Sequence, residues 1–378
     1  MEPGRRRVSA RRRKHRKIKI AAQTAVIFVT TIVMLLVLVL AALFVLLKGP
    51  SDEAARLFAL SAHETSAVKW LPRIYMSQKE YDAILNPDKE DDTGVINDDS
   101  GVIADGSGGM DNMVNGEAVA ENEFVPLPVL QTAGADAAGL VNIADEPTEG
   151  RDELEVIDLL GPTYKGKIML IHDPSRVQIA SIDSFGGIGK TLSEFLEMYN
   201  AIGCINAGGF EDENGKGKGG IPDGLVIKNG QITYGSAGSH YVDVIGFDAD
   251  NILHVGNMSG QEALNIGLVT ATNFNNGPVL IKDGERQSGF VSGINPRSAI
   301  GQAADGTVIL VAIEGRMVDS LGATFEDLTD IMEKYGAVNA GNLDGGSSSG
   351  MYYEGERITR SCSVIGDRPL PTAVVVLR

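Results

Sequence analysis

The chain has little cysteine, no histidines at metal-ligand spacing and no recurring segment, and each shortage removes a class of protein. Two cysteines among 378 residues, Cys204 and Cys362, are too few for a disulfide framework. They either pair with one another, which an extracytoplasmic compartment permits, or remain thiols, with Cys204 a small buried hydrophobe in its Ile-Gly-Cys-Ile-Asn run. No C-x-x-C occurs and the five histidines are scattered, which argues against a structural zinc site. Turn-punctuated segments fill the second half of the chain, but their spacings differ and no motif recurs, which argues against a repeat architecture.

Positive charge is scarce except at the start. Ten Lys/Arg fall between Arg5 and Lys19, and Ile20 to Leu47 then runs 28 residues without a charge. About 20 apolar residues cross a hydrocarbon core, so the run is long enough to span a membrane even when tilted. A cleaved signal peptide is the competing reading. Its apolar part covers only about 7 to 15 residues and ends in small side chains, whereas this run ends in Leu43-Phe-Val-Leu-Leu-Lys48. The basic cluster precedes the run and only Lys48 directly follows it, an asymmetry that places the N-terminus in the cytoplasm and the remainder outside. The cluster then reads as a topology signal, not a nucleic-acid site. Past Lys48 the chain holds 22 Lys/Arg (33 less 11) against 49 Asp/Glu (50 less Glu2), a balance of −27. Such a charge keeps a tethered domain soluble and argues against capture of nucleic acid or anionic lipid. An anionic substrate must then be met by a local basic site.

Composition divides the chain into a basic cytoplasmic tail (1–19), a transmembrane helix (20–47), a juxtamembrane helical stalk (48–85), an acidic flexible spacer (86–154) and a globular domain (155–378). In the stalk, apolar spacing at Ala55, Leu57, Phe58, Leu60 and Val68 predicts a helix from Ser51 to about Lys69 that continues the anchor, and Ser77-Gln-Lys-Glu80 is a capping box for a second. The spacer is rich in Asp, Gly, Asn and Ala, and cannot bury enough apolar surface to offset chain entropy.

In the globular part, Lys167–His172 and Val177–Ala180 read as strands around the turn Asp173-Pro-Ser-Arg176. Thr191-Leu-Ser-Glu194 opens a helix ending near Asn200. Hairpins turn at glycine dipeptides within Leu225–Tyr234, Pro278–Glu285, Ser298–Val311 and Met351–Glu356. A further pair, Val242–Phe247 and Ile252–Val255, turns at Asp248-Ala-Asp-Asn251. Thr324–Tyr335 has helical character, and Ala373–Leu377 is apolar throughout, as a central strand would be. Many strands with two or three helices predict an α+β domain of mixed, mostly antiparallel sheets.

Four glycine-flanked polar clusters fall at strand ends: Asn206-Ala-Gly-Gly-Phe210, Asn295-Pro-Arg-Ser-Ala-Ile-Gly301, Glu314-Gly-Arg316 and Asp344-Gly-Gly-Ser347. In the last, Gly345 and Gly346 allow a ligand close to the backbone, and successive N–H groups can form an anion nest. A tight Gly/Ser surface turn is the plainer reading. Arg297 and Arg316 bracket one hairpin, so both guanidiniums fall on one sheet edge, where planar forks suit a phosphate or carboxylate. Alternatively each pairs with a neighbouring acid, Arg316 with Glu314 or Asp319. Glu314 and Asp344 are the best-placed carboxylates for acid–base or nucleophilic work on a glycosidic bond. His240 and His254 suit either a proton relay or ordinary strand positions. Asp248, Asp250 and Asn251 suit either a calcium site or a hairpin tip.

Taken in order, Asn-x-Gly-Gly-Phe, Arg-Ser-Ala-Ile-Gly, acidic-Gly-Arg and Leu-Asp-Gly-Gly-Ser resemble the phosphodiester glycosidase domain family, found in a lysosomal-targeting glycosidase and in bacterial exopolysaccharide-related proteins. The resemblance covers roughly residues 160–378. It implies hydrolysis of a sugar-1-phosphodiester, with Asp344 and Glu314 as catalytic candidates. Asn206, Gly208 and Gly209 would line the site, Arg297, Arg316 and Arg368 would hold phosphate, and Gly345, Gly346 and Ser347 would complete an anion nest. Ser347 stands where the family commonly has a third glycine, and Glu314 where Asp is more usual. No cofactor is implied, and a divalent metal is left open. The expectation is a membrane-anchored extracytoplasmic hydrolase of a sugar-phosphate linkage in an envelope polymer or its precursor, with no nucleic-acid partner. The alternatives are a non-catalytic module that binds anionic glycopolymer and, with less support, a purely structural role in a cell-surface assembly.

Overall fold

Alternation along single strands shows how the domain is layered. All six residues of β13 (Val308–Ile313) are buried. Because successive side chains point to opposite faces, Val308, Leu310 and Ala312 join one apolar cluster and Ile309, Val311 and Ile313 join another. A strand covered on both faces must lie between two layers. The computed structural model describes residues 3–65, 68–87, 153–212, 217–275, 277–363 and 366–378, with side chains from residue 23 onward. The acidic spacer expected over 86–154 lies almost wholly outside the described residues.

Strand β13 belongs to a seven-stranded sheet ordered β1 (Leu154–Leu160), β2 (Lys165–Ile171), β13, β12 (Arg297–Ala303), β14 (Ala337–Leu343), β10 (Val279–Lys282) and β11 (Glu285–Arg286). A second sheet runs β16 (Glu356–Arg357), β15 (Met351–Tyr353), β4 (Ala201–Asn206), β17 (Thr372–Leu377) and β3 (Val177–Ser181). The third runs β6 (Gln231–Tyr234), β5 (Val226–Lys228), β9 (Leu268–Asn273), β7 (His240–Asp248) and β8 (Leu253–Ser259). Pairings in all three are antiparallel. The inner faces share one core, in which Met169, Leu310 and Leu343 meet Ile205 and Val374 and also Phe247 and Val255.

Each outer face is backed by one helix. Helix α6 (Phe325–Lys334), closed at its start by a Thr324–Asp327 capping box, packs Leu328, Ile331 and Met332 on Ile309 and Val311. Helix α4 (Leu192–Tyr199) lays Phe195 and Leu196 on Cys204 and Val375. It stops at Asn200, whose φ of 46° is the left-handed cap geometry that Asn tolerates. The short α5 (Gly260–Asn265) buries Ala263 with Leu268 and Ala271. This is the α+β class expected, with the predicted hairpins in place and β17 inside its sheet.

The structure departs from the sequence reading in three places. The Asp173–Arg176 turn does not close a hairpin, because it passes the chain from β2 in the first sheet to β3 in the second. Strands β1, β9 and β14 were not anticipated, and in the last two Thr, Asn and Gly masked the burial. The predicted helix from Ser51 is α2 (Asp52–His63), capped by Ser51 and ending six residues early. It does not continue α1 (Pro3–Lys48). Pro50 removes a helical N–H and pushes Gly49 away from helical geometry. Within α1, Gln23–Lys48 is long and apolar enough to cross a bilayer, with a mean hydropathy of 3.1. Leu43 and Leu47 at its end pack with Ala55 and Ala59 of α2 and with Tyr81 of α3 (Gln78–Leu85).

The far end of α2 also touches the globular domain. Ile294 N–H donates to Ser61 Oγ at 2.8 Å and Gly293 N–H to Glu64 Oε1 at 2.6 Å. Only glycine fits here, since a Cβ on residue 293 would sit 2.1 Å from the Ser61 nitrogen.

Leu328 is fully buried between α6 and the first sheet. Leu328→Ala is expected to cost about 2 to 5 kcal/mol in a denaturant titration of the full chain, whereas Val318→Ala, at a fully exposed site, should stay within about 0.5 kcal/mol of the parent.

Candidate active site

Register brings the polar clusters together. Arg297 opens β12 opposite Ile313, the last residue of β13. Ser298 lies opposite Leu343, the last residue of β14. Arg297, the Glu314-Gly315-Arg316 turn and the Asp344–Ser349 turn must therefore leave the sheet at one edge. In the second sheet Asn206 ends β4 opposite Ala373 near the start of β17, which brings Ala207–Phe210 and Arg368 to a matching edge. The two edges are tied by Asp344 N–H donating to Ala207 O at 2.9 Å and Asn206 Nδ2 to Asp344 O at 2.6 Å. Between them opens a cavity of about 910 Å³, a size usual for ligand sites.

Three arginines reach this cavity in different electrical states. Arg297 is 5 % exposed. Its Nε donates to Ala323 O at 3.1 Å, its Nη2 to Gly293 O at 2.8 Å, and Nη2 lies 2.7 Å from Glu64 Oε2. The guanidinium is 4.0 Å from the Phe325 ring centroid. Burial pulls its pKa below the ordinary value, and Glu64 opposes that pull. Arg368 grips Asp212 with both terminal nitrogens at 2.5 and 2.8 Å, a bidentate fork that holds the Asp212 carboxyl below its usual range.

Arg316 differs. Its Nε and Nη2 donate only to the neutral Asn295 Oδ1, at 3.3 and 3.0 Å. No carboxylate lies within ion-pair distance among the described residues; Glu314 and Asp319, its expected partners, are bound to Arg360. The residue also holds a φ of 57°, left-handed geometry that a long side chain rarely adopts. Gly346, at φ 62°, passes beneath, and a Cβ there would approach the guanidinium to 3.4 Å. An uncompensated cation over a glycine turn is what an incoming anion requires.

Asp344 lines the same cavity wall. Burial pushes its pKa up to about 6, while hydrogen bonds from Ser348 and the Gly345 N–H (2.8 Å) and the charge of Arg368 work against that rise. Asp223, near Gly209 and Phe274, also lines the cavity, and burial raises its pKa. The site thus offers two carboxyls whose pKa burial raises.

Of the residues singled out in the sequence, Gly209, Arg297, Arg316, Asp344, Gly345, Gly346, Ser347 and Arg368 line the cavity. Three anticipated residues do not. Asn206 is fully buried and acts as a strut, its Oδ1 accepting from Ser298 Oγ (2.8 Å) and Gly350 N–H (3.1 Å). Gly208 is a packing glycine whose Cβ would strike Thr272 Oγ1 at 2.1 Å. Glu314 turns away and accepts from the Arg360 backbone N–H at 2.8 Å and its Nε at 2.7 Å, so its carboxylate anchors a loop and is not brought to the cavity. His254 bonds Asp248 at 2.8 Å, His240 is exposed near Glu262, and neither lines the cavity. Asp248 Oδ1 accepts the N–H groups of Asp250 and Ile252 at 2.9 Å, as a hairpin tip does. Among the described residues no three His, Cys, Asp or Glu are grouped to hold a metal ion. Both cysteines are free, Cys204 in the α4 core and Cys362 on the cavity wall.

Sequence reasoning missed Glu64, Asp212, Asp223 and the role of Asn295. Asp223 in Pro222-Asp-Gly224 and Asn295 beside Arg297 carried a local turn signal. Glu64 carried none, since its partner Asn295 is 231 residues away.

Comparison with known proteins completes the description. The sequence profile of the phosphodiester glycosidase family matches residues 160–377. The chain is 30 % identical over 177 residues to the SPbeta prophage-derived uncharacterized protein YomE of Bacillus subtilis (strain 168), covering 45 % of this chain and 27 % of that protein. It therefore spans about a quarter of the relative's length. The zebrafish N-acetylglucosamine-1-phosphodiester alpha-N-acetylglucosaminidase catalytic domain, solved in a form auto-inhibited by its pro-peptide, superposes with a TM-score of 0.50 at 20 % identity, covering 61 % of this chain and 85 % of that one. At that identity the likeness is one of fold.

The raised Asp344 pKa has a sign that can be measured. The folded carboxyl keeps its proton to about pH 6, whereas the unfolded one releases it near 3.8, so stability falls as pH rises between those values and then levels. Asp344→Asn, which removes the ionisation and keeps the acceptor for Gly345, is expected to raise Tm by several degrees at pH 8 and by less at pH 5. Equal shifts at both pH values, read by thermal unfolding, would contradict the assigned environment.

Proposed function

The chain belongs to the phosphodiester glycosidase family, and from that premise we propose that it hydrolyses a glycosyl phosphodiester, releasing the sugar and leaving a phosphomonoester. The carrying observation is Arg316. It is the cavity's arginine without a carboxylate partner among the described residues, and it stands over Gly346 in the turn that follows Asp344, a cavity-lining carboxyl with a pKa of about 6.

In this reading the phosphate lies against Arg316 and the glycine turn. The bond between the anomeric carbon and the phosphate oxygen breaks, its electron pair leaves with the phosphate, and Arg316 stabilises the developing charge. A water adds to the anomeric carbon and gives its proton to Asp344, whose pKa near 6 suits a base working close to neutrality. Asp223 faces the same space as a second carboxyl, and two carboxyls flanking the scissile bond are the usual equipment for glycosyl transfer.

The finer proposal is that the linkage belongs to an envelope polysaccharide or its precursor, reached from a single-pass anchor with its N-terminus in the cytoplasm. The apolar Gln23–Lys48 helix, the basic run before it and the acidic remainder support this arrangement.

The test uses the full chain in detergent or nanodiscs with defined sugar-1-phosphodiesters, following free sugar and phosphomonoester together. Arg316→Ala should lower kcat/KM by about 10² to 10³, the scale for losing one oxyanion donor, and Asp344→Asn should lower kcat with little change in KM. Binding without product would remove the hydrolase and leave a glycopolymer-binding module, whereas variants as fast as the parent would remove the roles assigned to Arg316 and Asp344.

A further inference from the structure

Helix α2 delivers Glu64 into the active-site wall, and its carboxylate meets three groups there. Oε1 accepts the Gly293 N–H at 2.6 Å, Oε2 accepts Asn295 Nδ2 at 3.0 Å, and Oε2 pairs with Arg297 Nη2 at 2.7 Å. The consequence lies one bond further on. Asn295 is sandwiched between Glu64, which only accepts, and Arg316, which only donates. With its amide nitrogen committed to Glu64, it must present Oδ1 to Arg316, where it receives both Nε and Nη2. Thr65 Oγ1 adds a third donor to that oxygen at 3.4 Å. Glu64 also supplies the countercharge for a buried guanidinium whose neighbour, Arg316, repels it.

We propose that Glu64 is a positioning residue of the active site, which orients Asn295 and neutralises Arg297 so that Arg316 is held toward the phosphate position. The active site is then a joint product of the globular domain and the segment that follows the apolar helix, and residues 153–378 alone lack part of it. This rests on the phosphodiester reading for the identity of the anion, but not for the geometry.

The test compares the full-length parent with Glu64→Ala, Glu64→Gln and Ser61→Ala, measuring the Kd for inorganic phosphate by calorimetry and KM and kcat on a sugar-1-phosphodiester. Ser61 secures α2 through Ile294 without touching either arginine, so Ser61→Ala separates docking from positioning. Glu64→Ala should weaken phosphate binding and raise KM by about 10- to 100-fold, the scale seen for groups that orient a ligand-holding side chain, with kcat changed much less. Glu64→Gln keeps an acceptor for Asn295 and should fall between, and Ser61→Ala should match the parent. If Glu64→Ala binds phosphate as tightly as the parent or tighter, Glu64 is idle or obstructs the anion, and the proposal fails. Equal losses in Glu64→Ala and Ser61→Ala also overturn it, since docking alone would then explain them. Phosphate binding needs no turnover, so a parent that binds phosphate yet releases no sugar sinks the hydrolase while leaving this inference to be decided by affinity. A parent that binds no phosphate overturns both.

Discussion

The antiparallel register of β12 with its two neighbours is the constraint from which the site follows. Because β12 begins where β13 and β14 end, residues distant in sequence leave the sheet within one strand spacing, about 5 Å per step. A slip of one residue would turn Arg297 from its place over Phe325 toward the other face. The apolar alternation of β13 and the packing of α6 oppose such a slip, so the same burial that holds the domain together also aims its cations. Core and chemistry are here one set of contacts seen from two ends.

Charge at the cavity is distributed unevenly, and the unevenness is informative. Two of three arginines are matched by carboxylates that arrive from outside the strand-end motifs: Asp212 from the loop after β4, Glu64 from α2. A buried guanidinium without such a partner is costly, so Arg297 is held as structure. Arg316 has no carboxylate partner among the described residues, and it holds a backbone conformation that stores strain and that functional positions tolerate. The acidic surplus of the chain as a whole makes this local cation more selective, since few anions approach except those the site can hold.

Much of the fold was legible because its signals are local. Asn-Gly and Asp-Gly turns, capping boxes and the apolar β17 each declare themselves within a few residues, whereas β14 hid its strand character behind Asn339, Gly341 and Asn342. The candidate site was legible as a set of places but less so as a set of roles. Asn206 and Gly208 belong to a motif at the site yet serve as strut and spacer. Glu314 carries the right chemistry on the wrong side of its turn, because one backbone rotation at a glycine decides which way such a side chain faces. Glu64 was invisible, since pairing across 231 positions leaves no trace in spacing. What a single sequence conceals is who neutralises whom.

The elbow at Gly49-Pro50 and the short α2 set a length scale. Twelve helical residues rise about 18 Å, and the three residues of the elbow add at most about 10 Å, so Glu64 lies within about 30 Å of the end of the apolar helix. With that helix in a bilayer, the domain is held on a short leash within a thin layer above the lipid surface. Its encounters would be counted per unit area, and a ligand that is itself held at the surface would outcompete a freely dissolved one by its local density alone.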